Sequence, residues 1–293
     1  MDWDIRPMGE SDLGAVAAIE CAALGLAPTD GRNLEFLKLV HERNAKFFLV
    51  AERNKSVCGA IVAQKHGATG FIGFLVVQQD ATGKGIAGAL LDHAVAALSP
   101  TVEFIGIQIP PDCTVLTPLL IKHGFQFVEP QVVLRANAAD LGQSRNAQPA
   151  RGTWRDFVGL AEWAEAMEKA KLGVSIRIAN EHSRAGAALV ELAPRRTTSG
   201  KGSLVVSVGG AWRTLGGDQL TTLLQAAAEV AQAHQRTNMF VAVNGVYQRE
   251  LDSMLKNGWS VVRLTQRLVC AKTLSRYRQF LAMPQVDLTQ WTI

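Results

Sequence analysis

The chain is poor in several things that catalytic and binding proteins often rely on. Its four cysteines, Cys21, Cys58, Cys113 and Cys270, are scattered with no Cys-x-x-Cys pair, which excludes a disulfide framework and a zinc ribbon. His41, His66, His93, His123, His182 and His234 show no helical ligand spacing with carboxylates, so no metal site is expected. No apolar run approaches the roughly 20 residues that cross a membrane. Met1-Asp2-Trp3-Asp4 puts acid where a signal peptide carries positive charge and an apolar segment. A cytoplasmic protein with no membrane partner is expected. Tyrosine is scarce as well: the only two are Tyr247 and Tyr277.

What is present points to two α/β units. A chain of 293 residues that is 48% hydrophobic is long enough for about two domains, each with a core. The net charge of +4 is unevenly spread. Residues 1–150 hold 12 Lys/Arg against 15 Asp/Glu, and residues 151–293 hold 18 against 11. The basic character therefore belongs to the second half, where Arg195, Arg196, Lys201 and Arg213, then Arg263, Arg267, Lys272, Arg276 and Arg278, suit either a solvated basic face or an acidic partner. Without aromatic interleaving or a nucleic-acid motif, a nucleic-acid partner is not expected. Oligomeric state is not legible.

The most informative stretch is Thr82-Gly83-Lys84-Gly85-Ile86-Ala87, set between an apolar run from Phe71 to Val77 and a helical pattern from Ala87 to Leu98. This is a strand delivering a glycine turn to a helix start. Gly83 and Gly85 lack a β-carbon, so several backbone N–H groups can converge on one anion; an ordinary strand-to-helix turn needs glycine too. A strand follows at Val102 to Gln108, then a short helix from Thr114 to His123 ending at Gly124-Phe125. Two extended pieces come next, around Gln126 to Val128 and Val132 to Arg135.

In this order of elements the chain resembles the GNAT superfamily of acyl-CoA-dependent N-acyltransferases, over residues 3 to about 136. The family's loop reads Gln/Arg-x-x-Gly-x-Gly/Ala. Here the last four positions fit and the first is Thr82. The resemblance implies acetyl-CoA as acyl donor. Backbone groups of Val76 and Val77 would pair with its pantetheine arm, and the loop Thr82, Gly83, Lys84, Gly85, Ile86 and Ala87 would cradle its pyrophosphate. The family's usual proton donor, a Tyr four residues before the Gly of Gly-Phe, is replaced by Leu120.

Weaker candidates for proton transfer remain. Cys113 aligns with the family's Asn ahead of the short helix, as a thiol of lowered pKa or as a small helix-cap residue. His123 sits at that helix's end, where the dipole favours its charged form or it is a surface cap. For the base, Gln78, Asp80, Glu20 and Glu35 are the nearby polar residues, Asp80 being equally a turn residue. By analogy the loop Gly25 to Arg32, with Pro28, Thr29 and Asp30, lines the acceptor side.

Residues 137–152 read as a linker, and 153–293 repeat the first plan: a run at Ser203 to Val208, a helix from Asp218 to Gln235, a strand at Met239 to Val243, a helix from Tyr247 to Asn257, then Gly258-Trp259. The expected fold is therefore α/β (α+β): two GNAT-like domains, each a mixed twisted sheet flanked by helices. The first (1–136) binds acetyl-CoA and the second (153–293) is degenerate, because Asp218 places a carboxylate where a pyrophosphate would lie. Its leading helix, Thr153 to Leu172, carries Trp154, Phe157, Leu160, Trp163 and Met167 as a packing stripe. The expected activity is acetyl transfer to the amine of a small molecule or peptide by direct attack; the alternative is an acyl-CoA-binding sensor without turnover.

Overall fold

A computed structural model describes residues 2–27, 34–67, 69–142, 161–177, 187–192, 203–210, 217–282 and 286–288. In chain order the elements are β1 (Asp4–Pro7), α1 (Leu13–Ala23), α2 (Leu34–Asn44), β2 (Phe48–Arg53), β3 (Ser56–His66), β4 (Thr69–Val77), α3 (Ile86–Leu98), β5 (Phe104–Ile109), α4 (Leu116–Lys122) and β6 (Phe125–Asn137). They continue with α5 (Ala161–Lys169), β7 (Gly173–Arg177), β8 (Ala187–Glu191), β9 (Ser203–Gly210), α6 (Gly217–Ala233), β10 (Asn238–Asn244), α7 (Gln248–Lys256), β11 (Ser260–Cys270), α8 (Leu274–Ala282) and β12 (Val286–Leu288).

All the described strands join one mixed sheet in the order β1-β2-β3-β4-β5-β11-β6-β10-β9-β8-β7, with β12 paired to β9. β1 to β4 are antiparallel neighbours. The β2–β3 turn places Asn54 (φ 52°) and Lys55 (φ 63°) in the left-handed region, the geometry whose twist suits a tight hairpin. β4 and β5 are parallel, joined by the crossover helix α3.

The sequence predicts two extended pieces after Gly124-Phe125; the structure has one 13-residue strand, β6. Pro130 lies within it, opposite Gln266. The ladder accommodates it with an irregularity between Gln266 and Leu268 of β11, since a residue without an N–H is tolerated beside a bulge. The neighbour of β5 is thus β11, a strand more than 120 residues further along the chain, with Gln266 facing Ile109 and Val269 facing Gly106. β6 in turn pairs with β10.

A regularity runs through these pairings. Thr69 faces Phe104 across β4–β5, and Ser203 faces Asn238 across β9–β10, each residue of the second pair lying 134 positions after its counterpart. Gly124-Phe125 and Gly258-Trp259 have the same offset. Gly124 (φ 82°) and Gly258 (φ 85°) end α4 and α7 in the left-handed conformation that glycine adopts without strain.

The cores follow the helix layers. Ile86, Leu90, Leu91 and Ala94 of α3, with Leu120 and Phe125, pack on Ile72, Leu75, Ile105 and Ile107. Leu223, Leu224, Ala227 and Ala231 of α6, with Leu251 and Met254 of α7, pack on Leu134, Val241 and Val243. On the third cluster, Trp163 and Met167 of α5 bury themselves among Val16, Phe36, Leu37 and Val40, with Trp163 edge-on to Phe36 at 5.7 Å. That part of the stripe packs on the helices of the first half; Trp154, Phe157 and Leu160 lie outside the described residues. Just after β6, Ala138 and Leu141 are buried against α6, whose Gln232 and Gln225 amides donate to their carbonyls at 2.8 and 3.1 Å.

Candidate active site

Two neighbouring features of β4 build the site. Ile72 and Leu75 both face α3 although they are three residues apart, whereas an unbroken strand alternates faces every residue. The ladder with β3 explains it: Val62 pairs with Phe74 and Ala63 with Ile72, leaving Gly73 as an extra bulged residue. A bulge bends its strand. Pairing with β5 stops at the same point, at Ile72 and Ile107, while β3 follows β4 to Val77. From Gly73 onward the β5-side edge of β4 therefore faces open space.

The loop below this opening is held from several sides. Gln78 N–H donates to the Cys58 carbonyl at 2.9 Å, and the Thr82 hydroxyl donates to the Gln79 carbonyl at 2.6 Å. Arg53 at the end of β2 pairs with Asp80 at 2.5 Å. Gly83 (φ 77°) and Gly85 (φ 80°) are both left-handed, and Gly85 is the residue that enters α3. The first N–H groups of a helix have no partner within it and carry the positive end of its dipole. α3 has no acidic residue in its first turn to neutralise them, so Gly85, Ile86, Ala87 and Gly88 present amides suited to an anion.

Opening and loop share one cavity of about 1310 Å³. Val76 and Val77 line it on the sheet side, and Thr82, Gly83, Gly85, Ile86 and Ala87 line the loop side. α1 contributes Ala15, Ala18, Ala22 and Ala23, and the α4 side contributes Cys113, Val115, Leu116 and Leu119. Ala15, Ala18 and Ala22 recur at spacings of three and four, which in the sequence is legible only as an ordinary packing face. Gln78 and Asp80 also line the cavity.

The remaining sequence candidates lie elsewhere. Lys84 is exposed and is not part of the lining. His123 is held behind α3, its Nδ1 2.7 Å from an Asp92 carboxylate oxygen and its Nε2 so near Gly88 that a β-carbon there would come within 2.9 Å. It ties α4 to α3 and does not line the cavity. Glu20 is buried on α1 and Glu35 exposed on α2, neither of them in the lining; Pro28, Thr29 and Asp30 lie outside the described residues. Leu120 is fully buried in the core under α3, with Leu116 and Leu119 facing the cavity instead. Tyr277 is buried and donates its hydroxyl to Glu129, and Tyr247 is buried in the α6–α7 core, so neither supplies the phenol that position 120 lacks.

Cysteine chemistry narrows in the same way. All four cysteines are free, and Cys21, Cys58 and Cys270 are buried while Cys113 is half-exposed. Burial pushes the Cys58 thiol up, as expected for a group whose anion would lose its solvation. Arg267, counted with the basic tail in the sequence, is buried, with its Nε donating to Gln131 at 2.9 Å; it belongs to the β11–β6 junction. Arg195, Arg196, Lys201 and Arg213 lie outside the described residues. Among the described residues no helix is long and apolar enough to cross a membrane.

Comparison with known proteins agrees with this geometry. Residues 18–106 match the family model "Acetyltransferase (GNAT) family", a span from α1 through the glycine loop to β5. A search of curated proteins finds no match. Among solved structures, the chain is similar to a putative acetyltransferase from Pyrococcus horikoshii, with a TM-score of 0.67 and 13% identity over 92% of this chain and 89% of that one. It is likewise similar to a GCN5-related N-acetyltransferase from Sphaerobacter thermophilus, with a TM-score of 0.62 and 13% identity over 100% of this chain and 99% of that one.

Proposed function

Taking as premise that the chain carries a GNAT-family acetyltransferase domain, we propose that it is an N-acetyltransferase. It would move an acetyl group from acetyl-CoA to the amine of a small molecule or peptide by direct attack. The observation that carries this reading is the parting of β4 from β5 after Ile72, directly above the two left-handed glycines that enter α3.

The residues present fit the donor. The free edge of β4 at Val76 and Val77 offers backbone groups to the amides of a pantetheine arm, and the amides of Gly85, Ile86 and Ala87 receive a pyrophosphate. Gly83 provides the turn that aims them, Thr82 braces it through Gln79, and Lys84 adds positive charge at the exposed rim. When bound, acetyl-CoA supplies an acetyl group activated on a good leaving group. The protein's part is to orient that group, exclude water with the α1 alanines and α4 leucines, and manage two protons.

For the proton leaving the amine, Asp80 is the carboxylate in the lining and is already tied to Arg53, while Gln78 beside it can orient the amine but not take its proton. For the proton reaching the thiolate, Leu120 is buried away from the cavity and Cys113 is the thiol in its wall. The reading is that water supplies this proton, because a thiolate is stable enough to leave without full protonation. A missing general acid costs about 10²–10⁴-fold in rate, so slow turnover is expected. Thiol release from acetyl-CoA across an amine panel, for wild type and Cys113→Ala, tests this: a large loss in Cys113→Ala assigns the proton to the thiol, and binding without turnover on any amine sinks the catalytic reading.

We also read the chain as a tandem of domains, 1–136 and 153–293, joined by 137–152. The order β4-β5-β11-β6 on one side of the sheet centre is answered by β9-β10-β6-β11 on the other, so each unit would lend the other one strand. The second unit is read as degenerate, with Asp218 in the first turn of α6.

A further inference from the structure

β9 carries the most informative pairing outside the cavity. Its residues Val208 and Gly209 pair with Ala188 and Ala187 of β8, and the same two residues pair with Leu288 and Asp287 of β12. A strand residue has only two edges, so β12 lies on the edge opposite β8. That is the edge on which β10 pairs with Ser203 to Val205, and β12 also comes within 8 Å of β10 between Cα atoms.

The place β12 takes is defined by the 134-residue offset that relates β9–β10 to β4–β5. Val208, Gly209 and Gly210 correspond to Phe74, Leu75 and Val76, the part of β4 that has left β5 and opens on the cavity. In the first half no strand among the described residues pairs with that edge; in the second half it is paired, residue for residue, with Leu288, Asp287 and Val286.

We infer that the second half retains a groove for an extended diamide chain, the chemistry of a pantetheine arm, and that residues 286–288 occupy it in place of a ligand. The inference rests on the tandem reading above. An arm with amide N–H and C=O groups and a β-strand present the same donors and acceptors to a strand edge. A strand tethered in the same chain competes at high effective concentration, so a free ligand stays out while β12 is seated. With Asp218 in the first turn of α6, the groove would accept the arm without its pyrophosphate far better than CoA itself.

The test uses the full chain and a Val286→Pro/Leu288→Pro variant, whose prolines remove the amide donors at those positions; a chain ending at Ala282 serves as second variant. Backbone hydrogen exchange is followed with and without S-acetylpantetheine at those amides of 208–210 that point to β12, since successive N–H groups of a strand point to opposite edges. In the full chain these amides should be protected and indifferent to the ligand. In both variants exchange should quicken by about tenfold or more, and millimolar S-acetylpantetheine should slow it again. CoA should bind once per chain throughout.

Unchanged exchange in the variants would overturn the inference, as would S-acetylpantetheine failing to restore protection in a variant that still binds CoA, or a second equivalent of CoA in the full chain. If the full chain binds no CoA at all, the reading of the first groove fails, and the exchange data at 208–210 still decide this one.

Discussion

Replacing Gly85 with alanine separates the anion-cradle role of the glycine loop from mere backbone strain. Gly85 has φ 80° and nothing lies within 4 Å of the β-carbon that alanine would add, so no steric clash enters. The cost is the left-handed conformation alone, about 1–2 kcal/mol for a residue other than glycine. Gly124 provides a matched control, since its φ is 82° with the same empty surroundings and it is not part of the cavity lining. Both substitutions should lower the melting temperature alike, by about 2–4 °C per kcal/mol. They should differ in ligand affinity. Relaxation of the strained residue turns the Gly85 and Ile86 amides away from the anion, and hydrogen bonds to a charged group are worth about 1.5–3 kcal/mol each, so losing one should weaken CoA binding by about 10–150-fold. Calorimetric titration of CoA into both variants and wild type is the assay. If Gly85→Ala binds CoA as tightly as Gly124→Ala, the loop does not hold the pyrophosphate and the argument is refuted.

Other perturbations follow from the same geometry. Cys113 is the half-exposed thiol and lines the cavity, so a maleimide should label this cysteine first in the native protein, and saturating CoA should slow labelling; fast reaction at Cys58 or Cys270 would contradict the packing. Leu120 has 0% exposure, so Leu120→Ala should cost about 2–5 kcal/mol in urea unfolding, and Leu120→Tyr should destabilise by about 1–3 kcal/mol through overpacking without raising the rate. The Arg6 guanidinium, bonded to Asp12 at 2.7 Å, holds that carboxyl below its usual value. A carboxylate with a depressed folded-state pKa stabilises above its unfolded value, about 3.9, and loses that contribution as pH falls through the folded value. Asp12→Asn should thus be less stable than wild type by about 1 kcal/mol at pH 7, with the two unfolding curves converging as pH falls through the lowered folded-state value; a gap that persists in acid would show the loss to be steric.

How much was legible in the sequence depends on how local each cause is. The strand ending at Val77, the glycine turn, α3, α4 and the Gly124 end all follow from residues within a few positions of one another. Glycine where φ must be positive and apolar residues at helical spacing are properties of a short window. The identity of β5's neighbour is not such a property. A period of two says which residues of Ser260 to Cys270 face inward, and nothing about whether the strand lies beside Phe104 to Ile109 or elsewhere. Pro130 adds to the difficulty, because in isolation it argues for a break, and only the irregularity opposite it in β11 lets β6 run through.

The candidate site divides along the same line. Its backbone part was readable because Gly83 and Gly85 are informative by residue type. Its side-chain part was not, because whether Leu120, His123 or Cys113 reaches the cavity depends on the rotation of α4 against α3. That rotation is set by contacts such as His123 on Gly88 and Asp92, where a helix glycine leaves room for an imidazole from the next helix. A β-carbon on Gly88 would come within 2.9 Å of His123 Nε2, so the imidazole would have to swing away and give up its place beside Asp92. On α4 it is Leu116 and Leu119 that form the wall of the cavity, while Leu120 is buried in the core. The absence of a phenol at position 120 then acquires a structural meaning: with that position pointing into the core, restoring tyrosine there would not by itself restore an acid to the site.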